Sequence, residues 1–220
     1  SKLAPTDDRA NSTRETTNMT NPVQTLSQFI CRTTFDDLPE ALVVKAKQHL
    51  LDTLGAALAG SQTPLTQRAL RAMNASESEG ASGIWGADYG LSARNAALIN
   101  GIAAHALELD DSGGCDHSGA VVVPAMLAVL PLCDAMPDVK ELLTAMVVGY
   151  DVARRVLEAC GGYSPHNEAG WHSTGTCGVF GAAAACARLL KLDESQTGAA
   201  LGLAASMSGG LWAFLHDGAE

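Results

Sequence analysis

Ala120-Val-Val-Val-Pro-Ala-Met-Leu-Ala-Val-Leu-Pro-Leu-Cys133 is the longest uncharged run of bulky apolar residues in the chain. At 14 residues it is shorter than the roughly 20 that a helix needs to cross a bilayer. The spacing therefore predicts a buried helix from Gly119 to about Cys133, apolar on every face and so central to whatever packs around it. A helix of that kind must be enclosed by other elements, and the flanking sequence supplies helices rather than strands.

Downstream, Asp138 followed by Glu141 reads as a capping box opening a helix that reaches about Ala159, before Gly161-Gly162. A small-residue helix is expected from Gly175 to Leu190, with glycines at 175, 178 and 181 suited to close helix contact, and Asp193 caps a last helix through about Met207. Upstream, Val23, Leu26, Phe29 and Ile30 follow a helical stripe. Asp36-Asp37-Leu38-Pro39 reads as an acidic cap and first-turn proline for a helix closed by Gly60. A shorter helix follows Pro64. Ser92 caps another, which carries Ala96, Ile99, Ala103, Ala106 and Leu107 into Leu109-Asp110-Asp111. Apart from a short extended segment at Gly83-Ile-Trp85, no strand alternation of useful length appears, so the fold class is all-α, a multi-helix bundle.

Residues 1–21 are rich in Ser, Thr, Asn and Asp and are expected to be a flexible leader, with residues 22–220 forming the helical domain. Against 14 Lys and Arg stand 24 Asp and Glu, a formal net charge of −10, which leaves too few cations for a nucleic-acid-binding face. The six cysteines show no CxxC spacing and several sit in apolar stretches, so they read as reduced thiols. Without a signal-peptide or transit-peptide pattern, the expected location is cytoplasmic, with no membrane partner.

Two segments place a histidine just before a helix start: His117-Ser118-Gly119 and His172-Ser173-Thr174-Gly175. A helix N-terminus exposes unpaired N–H groups and partial positive charge, which suits a carboxylate ligand. An imidazole beside it is suited to proton transfer near neutral pH. The plainer alternative is that Ser118, Ser173 and Thr174 are N-caps and the glycines serve packing. Just before the first of these segments lies a cluster of His105, Glu108, Asp110 and Asp111, followed by Ser112, Cys115, Asp116 and His117. His105 and Glu108 share a helix face. The cluster can be read as a metal site, yet it has no HxxEH or HxH spacing and its ligands differ in softness. The other reading is acid–base work with Glu108 or Asp110 orienting an imidazole, and this is preferred, with no metal.

Four ordered strings then carry a resemblance: Asp52-Thr-Leu-Gly-Ala-Ala-Leu-Ala-Gly60, Ala96-Ala-Leu-Ile-Asn-Gly-Ile-Ala-Ala-His-Ala-Leu-Glu-Leu-Asp-Asp111, His117-Ser-Gly119 and Gly170-Trp-His-Ser-Thr-Gly175. Together they resemble the MmgE/PrpD family over residues 23–220. The resemblance implies a helical domain joined to a smaller α/β lid domain that is absent from this chain. It also implies a homodimer, no metal or organic cofactor, and a small carboxylate substrate. Its members dehydrate 2-methylcitrate, decarboxylate cis-aconitate or epimerise iminodisuccinate, and they carry an active-site lysine beyond the position of Glu220. By motif position His117 and His172 are similar to the family's active-site histidines. Glu108 stands where many members have the first Asp of an Asp-Phe-Asp-Asp-like string, and Ser112 where many have Thr.

The expectation is a lyase, foremost a dehydratase, that removes a proton next to a carboxylate with His117 and His172 as the acid–base pair. Glu108 or Asp110 would orient a histidine, Ser112 would belong to the catalytic set, Ser118, Ser173 and Thr174 would bind substrate, and the amides at Gly119 and Gly175 would hold substrate carboxylates. Epimerisation and decarboxylation remain open, as does a non-catalytic fragment competent only for dimerisation.

Overall fold

The computed structural model describes residues 21–77 and 79–213. The leader expected over residues 1–21 lies outside them except for Asn21, whose side chain accepts the Val23 N–H and opens α1 (Pro22–Arg32). Among the described residues the chain is all-α, with nine α-helices and one two-stranded sheet.

After α1 come α2 (Glu40–Gly60) and α3 (Pro64–Asn74). Asp36 and Asp37 do not cap α2 as the sequence suggests. They belong to a separate 3-10 turn, Phe35–Asp37, where the Asp37 carboxylate accepts from the Thr34 N–H and hydroxyl, and Pro39 takes the N-cap place of α2. Of the extended segment expected at Gly83-Ile-Trp85 only Gly83 is strand, in β1 (Ser82–Gly83), paired antiparallel with β2 (Gly90–Leu91), and Trp85 lies in the turn between them.

Ser92 caps α4 (Ala93–His105) through the Asn95 N–H. This helix stops at His105 instead of continuing through Leu107, because the chain reverses with Glu108 at φ 51° and brings Asp110 back onto the His105 ring. The apolar run forms α5 (Ser118–Ala128), which is shorter than its hydropathy implies. Pro131 has no N–H to extend the ladder, and Leu130–Leu132 tighten into a 3-10 turn.

The capping box of Asp138 and Glu141 opens α6 (Val139–Ala159), and that of Asp193 and Gln196 opens α9 (Glu194–Met207). Between α6 and α8 (Ser173–Leu189) lies a short helix, α7 (Tyr163–Glu168), in a segment whose polar sequence gives no helical stripe.

The core confirms the central place of α5. It packs against α4, α6 and α8, while α6 and α8 run along one another and α1 and α9 cover the far side of α8. Val122, Val123 and Met126 of α5 meet Met146, Ala185 and Leu189, all buried. The α6–α8 approach depends on Gly149 and Gly181. A Cβ built on Gly149 would lie 2.9 Å from the Gly181 carbonyl oxygen, and one on Gly181 would lie 2.5 Å from the Gly149 oxygen. The three α8 glycines thus meet three partners: Gly181 the α6 backbone, Gly178 the Val121 side chain and Gly175 the Gly209 carbonyl. No described helix is long and apolar enough to cross a membrane, and all six cysteines are free.

Candidate active site

The α5 and α8 starts come together because the Thr174 hydroxyl accepts the His117 backbone N–H at 3.3 Å. His117 and His172 are the N-cap residues of α5 and α8, and neither side chain caps its helix. The serines are not caps either. Ser118 accepts the Cys115 N–H at 2.9 Å and closes the loop onto itself, while the fully buried Ser173 hydroxyl has no hydrogen-bond partner among the described residues.

The loop between α4 and α5 is held by Gly113, which bridges to both Asp116 and His117, and by a positive φ of 103° at Asp116. A non-glycine residue in that region is strained, and such strain concentrates where a side chain must be aimed. Here it aims His117 back at Asp110.

Asp110 organises the cluster. Its side chain is fully buried, with one oxygen 2.8 Å from His105 Nδ1 and the other 3.2 Å from His117 Nδ1. The two rings lie 4.3 Å apart between centroids, their planes tilted by 56°. Their Nε2 atoms turn toward Glu108, at 2.9 Å from His105 and 3.8 Å from His117.

Burial alone would raise the Asp110 carboxyl, but the hydrogen bonds from both imidazoles override it and hold it at about 2. The same hydrogen bond from Asp110 outweighs burial at His117 and lifts that imidazole to about 9, with Asp116 and Glu108 adding to the effect. His105 is raised for the same first reason. His117 is therefore a cation at neutral pH. One ligand atom each from His105, Glu108 and His117 also lie within 4.8 Å of one another, an arrangement that can hold a metal ion. Asp110 would then fix the ring orientation from behind, as carboxylates do behind metal-bound histidines.

His172 enters from the α8 side. It lines a cavity of about 740 Å3 together with His105, Glu108, Thr174 and Gly175. Its backbone N–H donates to the Gly210 carbonyl and its ring packs on Trp212 at 4.9 Å. Ser112 stands exposed at the start of the loop and takes no part in the imidazole–carboxylate contacts.

The amides expected to hold substrate carboxylates both donate within the protein. The Gly119 N–H donates to Asp111 at 2.8 Å, and the Gly175 N–H to the His172 carbonyl at 3.1 Å.

Asp111 faces away from its neighbour Asp110. Buried and 2.7 Å from His49 Nδ1, it anchors the first turn of α5, and burial raises its carboxyl despite the Gly119 N–H that it accepts and the His49 imidazole beside it. A Cβ on Gly119 would collide with Thr53 and Asp111 at 2.3 and 2.5 Å, so only glycine fits there. Sequence reasoning gave His105 no role beyond the cluster, although its spacing to Glu108 was visible. His49, Thr53 and Tyr150 gave no signal, being distant in sequence from Asp111.

An all-helical scaffold with imidazoles and carboxylates gathered at a helix-lined cavity is the class that fold and geometry define. The chain belongs to the MmgE/PrpD family, with residues 24–220 matching the MmgE/PrpD N-terminal domain. It is 33% identical over 189 residues to the cis-aconitate decarboxylase-like protein oryM of Aspergillus oryzae, covering 83% of this chain and 39% of that protein. To the cis-aconitate decarboxylase of Aspergillus terreus it is 29% identical over 188 residues, 83% of this chain and 38% of that one. The human cis-aconitate decarboxylase is 29% identical over 176 residues, 78% and 36% respectively. The chain thus spans well under half the length of these relatives, which are enzymes.

Proposed function

We propose that the protein is a lyase acting on a small di- or tricarboxylate, and that its chemistry is proton transfer next to a carboxylate. The observation that carries this reading is the single buried carboxylate of Asp110 bridging two imidazoles and keeping His117 protonated. Loss of carbon dioxide from an unsaturated polycarboxylate leaves an electron pair that an acid must protonate. Dehydration needs a base for the carbon-bound proton and an acid for the departing hydroxide. His117 supplies the acid, His172 is the second proton-transfer group, and the His117 cation, beside a His105 imidazole raised for the same reason, offsets substrate negative charge. The names of the relatives favour decarboxylation over the dehydration that the motifs first suggest; epimerisation has less support.

Product analysis by NMR with cis-aconitate, 2-methylcitrate and iminodisuccinate distinguishes the three reactions in the full-length protein. Turnover of none of them overturns the reading. His172→Gln is expected to lower kcat by roughly 10²-fold or more, and wild-type turnover would remove its role.

The convergence of His105, Glu108 and His117 supports a second reading, metal-assisted lyase chemistry. Stoichiometric metal in the purified protein together with chelator-sensitive activity would establish it, and activity indifferent to chelators would exclude it. The protein is also proposed to act as a homodimer, with exposed apolar side chains such as Leu51 and Met207, 73% and 81% exposed, as candidates for burial between two copies. Light scattering on the eluting peak tests this, and a monomer contradicts it.

A further inference from the structure

The cavity that holds His105, Glu108 and His172 is far more apolar than a polycarboxylate requires. Its polar lining sits at one end. His105 closes α4, Glu108 follows it, and Thr174 and Gly175 lie in the first turn of α8. From there the lining continues along Ala97, Leu98 and Ile102 on α4, Val121 on α5, and Val179 and Ala182 on α8, with no charged group. Ala97 lies eight residues before His105, and Ala182 eight residues after Thr174. At 1.5 Å per residue the apolar part runs about 12 Å away from the imidazoles on both banks. The banks are α4 and α8, and both pack against α5 between them. Small residues keep the channel open, and Leu98 at its far end is 49% exposed. At about 740 Å3 the cavity falls in the upper part of the roughly 300–1,000 Å3 range of small-molecule sites.

We infer that the substrate is an amphiphilic carboxylate, a di- or tricarboxylate head carrying an unbranched aliphatic chain that lies in the channel between α4 and α8. The inference rests on the carboxylate site proposed above. The head binds at His105 and His172, with His117 behind the His105 ring, and the chain displaces water from the alanine, valine and leucine walls. An unsubstituted tricarboxylate would leave that surface wet, whereas an alkyl chain gains free energy with each methylene it buries.

Non-reactive probes test this without depending on turnover. Succinate, methylsuccinate, butylsuccinate and octylsuccinate are titrated calorimetrically into the full-length protein. Affinity is expected to rise roughly threefold to fourfold per methylene until the channel is filled. Ala182→Leu, which narrows the channel away from the histidines, is expected to abolish this dependence and leave succinate binding unchanged. A series of equal or weakening affinity overturns the alkyl-chain inference while leaving the carboxylate site standing. Failure of every member to bind overturns both. A chain-length gain that survives Ala182→Leu places the chain elsewhere and overturns the channel assignment.

Discussion

Asp110 is the residue on which the proposed chemistry turns, because one buried carboxylate serves two imidazoles. An isolated histidine titrates near 6.5 and would be mostly neutral at physiological pH. With Asp110 at hydrogen-bond distance, His117 holds its proton to about 9. An acid must be protonated to act, so the rate assigned to His117 is expected to be flat near neutrality and to fall as pH rises through about 9. Asp110→Asn removes the charge and keeps the shape. The His117 titration is then expected to move down toward the ordinary imidazole value, and the alkaline limb of kcat/KM to move with it. Imidazole NMR titration and the pH–rate profile read the two shifts separately. If both stay at about 9 in the variant, Asp110 is not their cause.

At the scale of elements, the helices that place these residues are held by close backbone contacts as much as by side-chain burial. Gly149 and Gly181 let α6 and α8 touch, and α8 in turn carries Thr174 to the His117 amide. Gly181→Ala puts a methyl group 2.5 Å from the Gly149 carbonyl and 2.9 Å from the Ala153 side chain, where neither backbone can yield cheaply. It is expected to destabilise the fold by about 1–3 kcal/mol, read as a lower urea midpoint, and an unchanged midpoint would mean that the crossing is looser than described. Much at this scale was legible beforehand. The capping boxes at Asp138 and Asp193 are local hydrogen-bond patterns within one turn, and the apolar face of every turn of α5 forces it inward wherever its ends lie. What was not legible depends on distance or reversal. The stop of α4 at His105 follows from a tertiary pull on Asp110, α7 has no apolar stripe, and nothing links His49 to Asp111 except the fold. The adjacent acids Asp110 and Asp111 look alike as sequence. Only the loop geometry sends one to the imidazoles and the other beneath Gly119.

The whole molecule carries a net charge of −10, yet its response to pH is expected to depend more on one buried pair than on that total. The His117 pKa is raised in the folded state, so its contribution to stability is complete below the ordinary value near 6.5 and is lost as pH rises through about 9. The Asp110 pKa is lowered, so its contribution is complete above the ordinary value near 3.8 and is lost as pH falls through about 2. Asp111 opposes Asp110 in acid, since burial raises its carboxyl and its neutral form is the easier to keep. The two favourable contributions coexist only between roughly 4 and 6.5, with a progressive decline on the alkaline side up to about 9. Melting temperature measured across this range is therefore expected to peak in mildly acid buffer. His117→Gln is expected to flatten the alkaline decline specifically, and Asp110→Asn to flatten both limbs, because the histidine loses the partner that raised it. Exposed surface acids would give a different pattern, with both variants keeping the wild-type profile and added salt reducing it, since screening acts on exposed charges far more than on a buried pair. A salt-insensitive peak that disappears with Asp110 would mean that the group proposed for proton transfer also sets the pH range in which the helical domain is most stable.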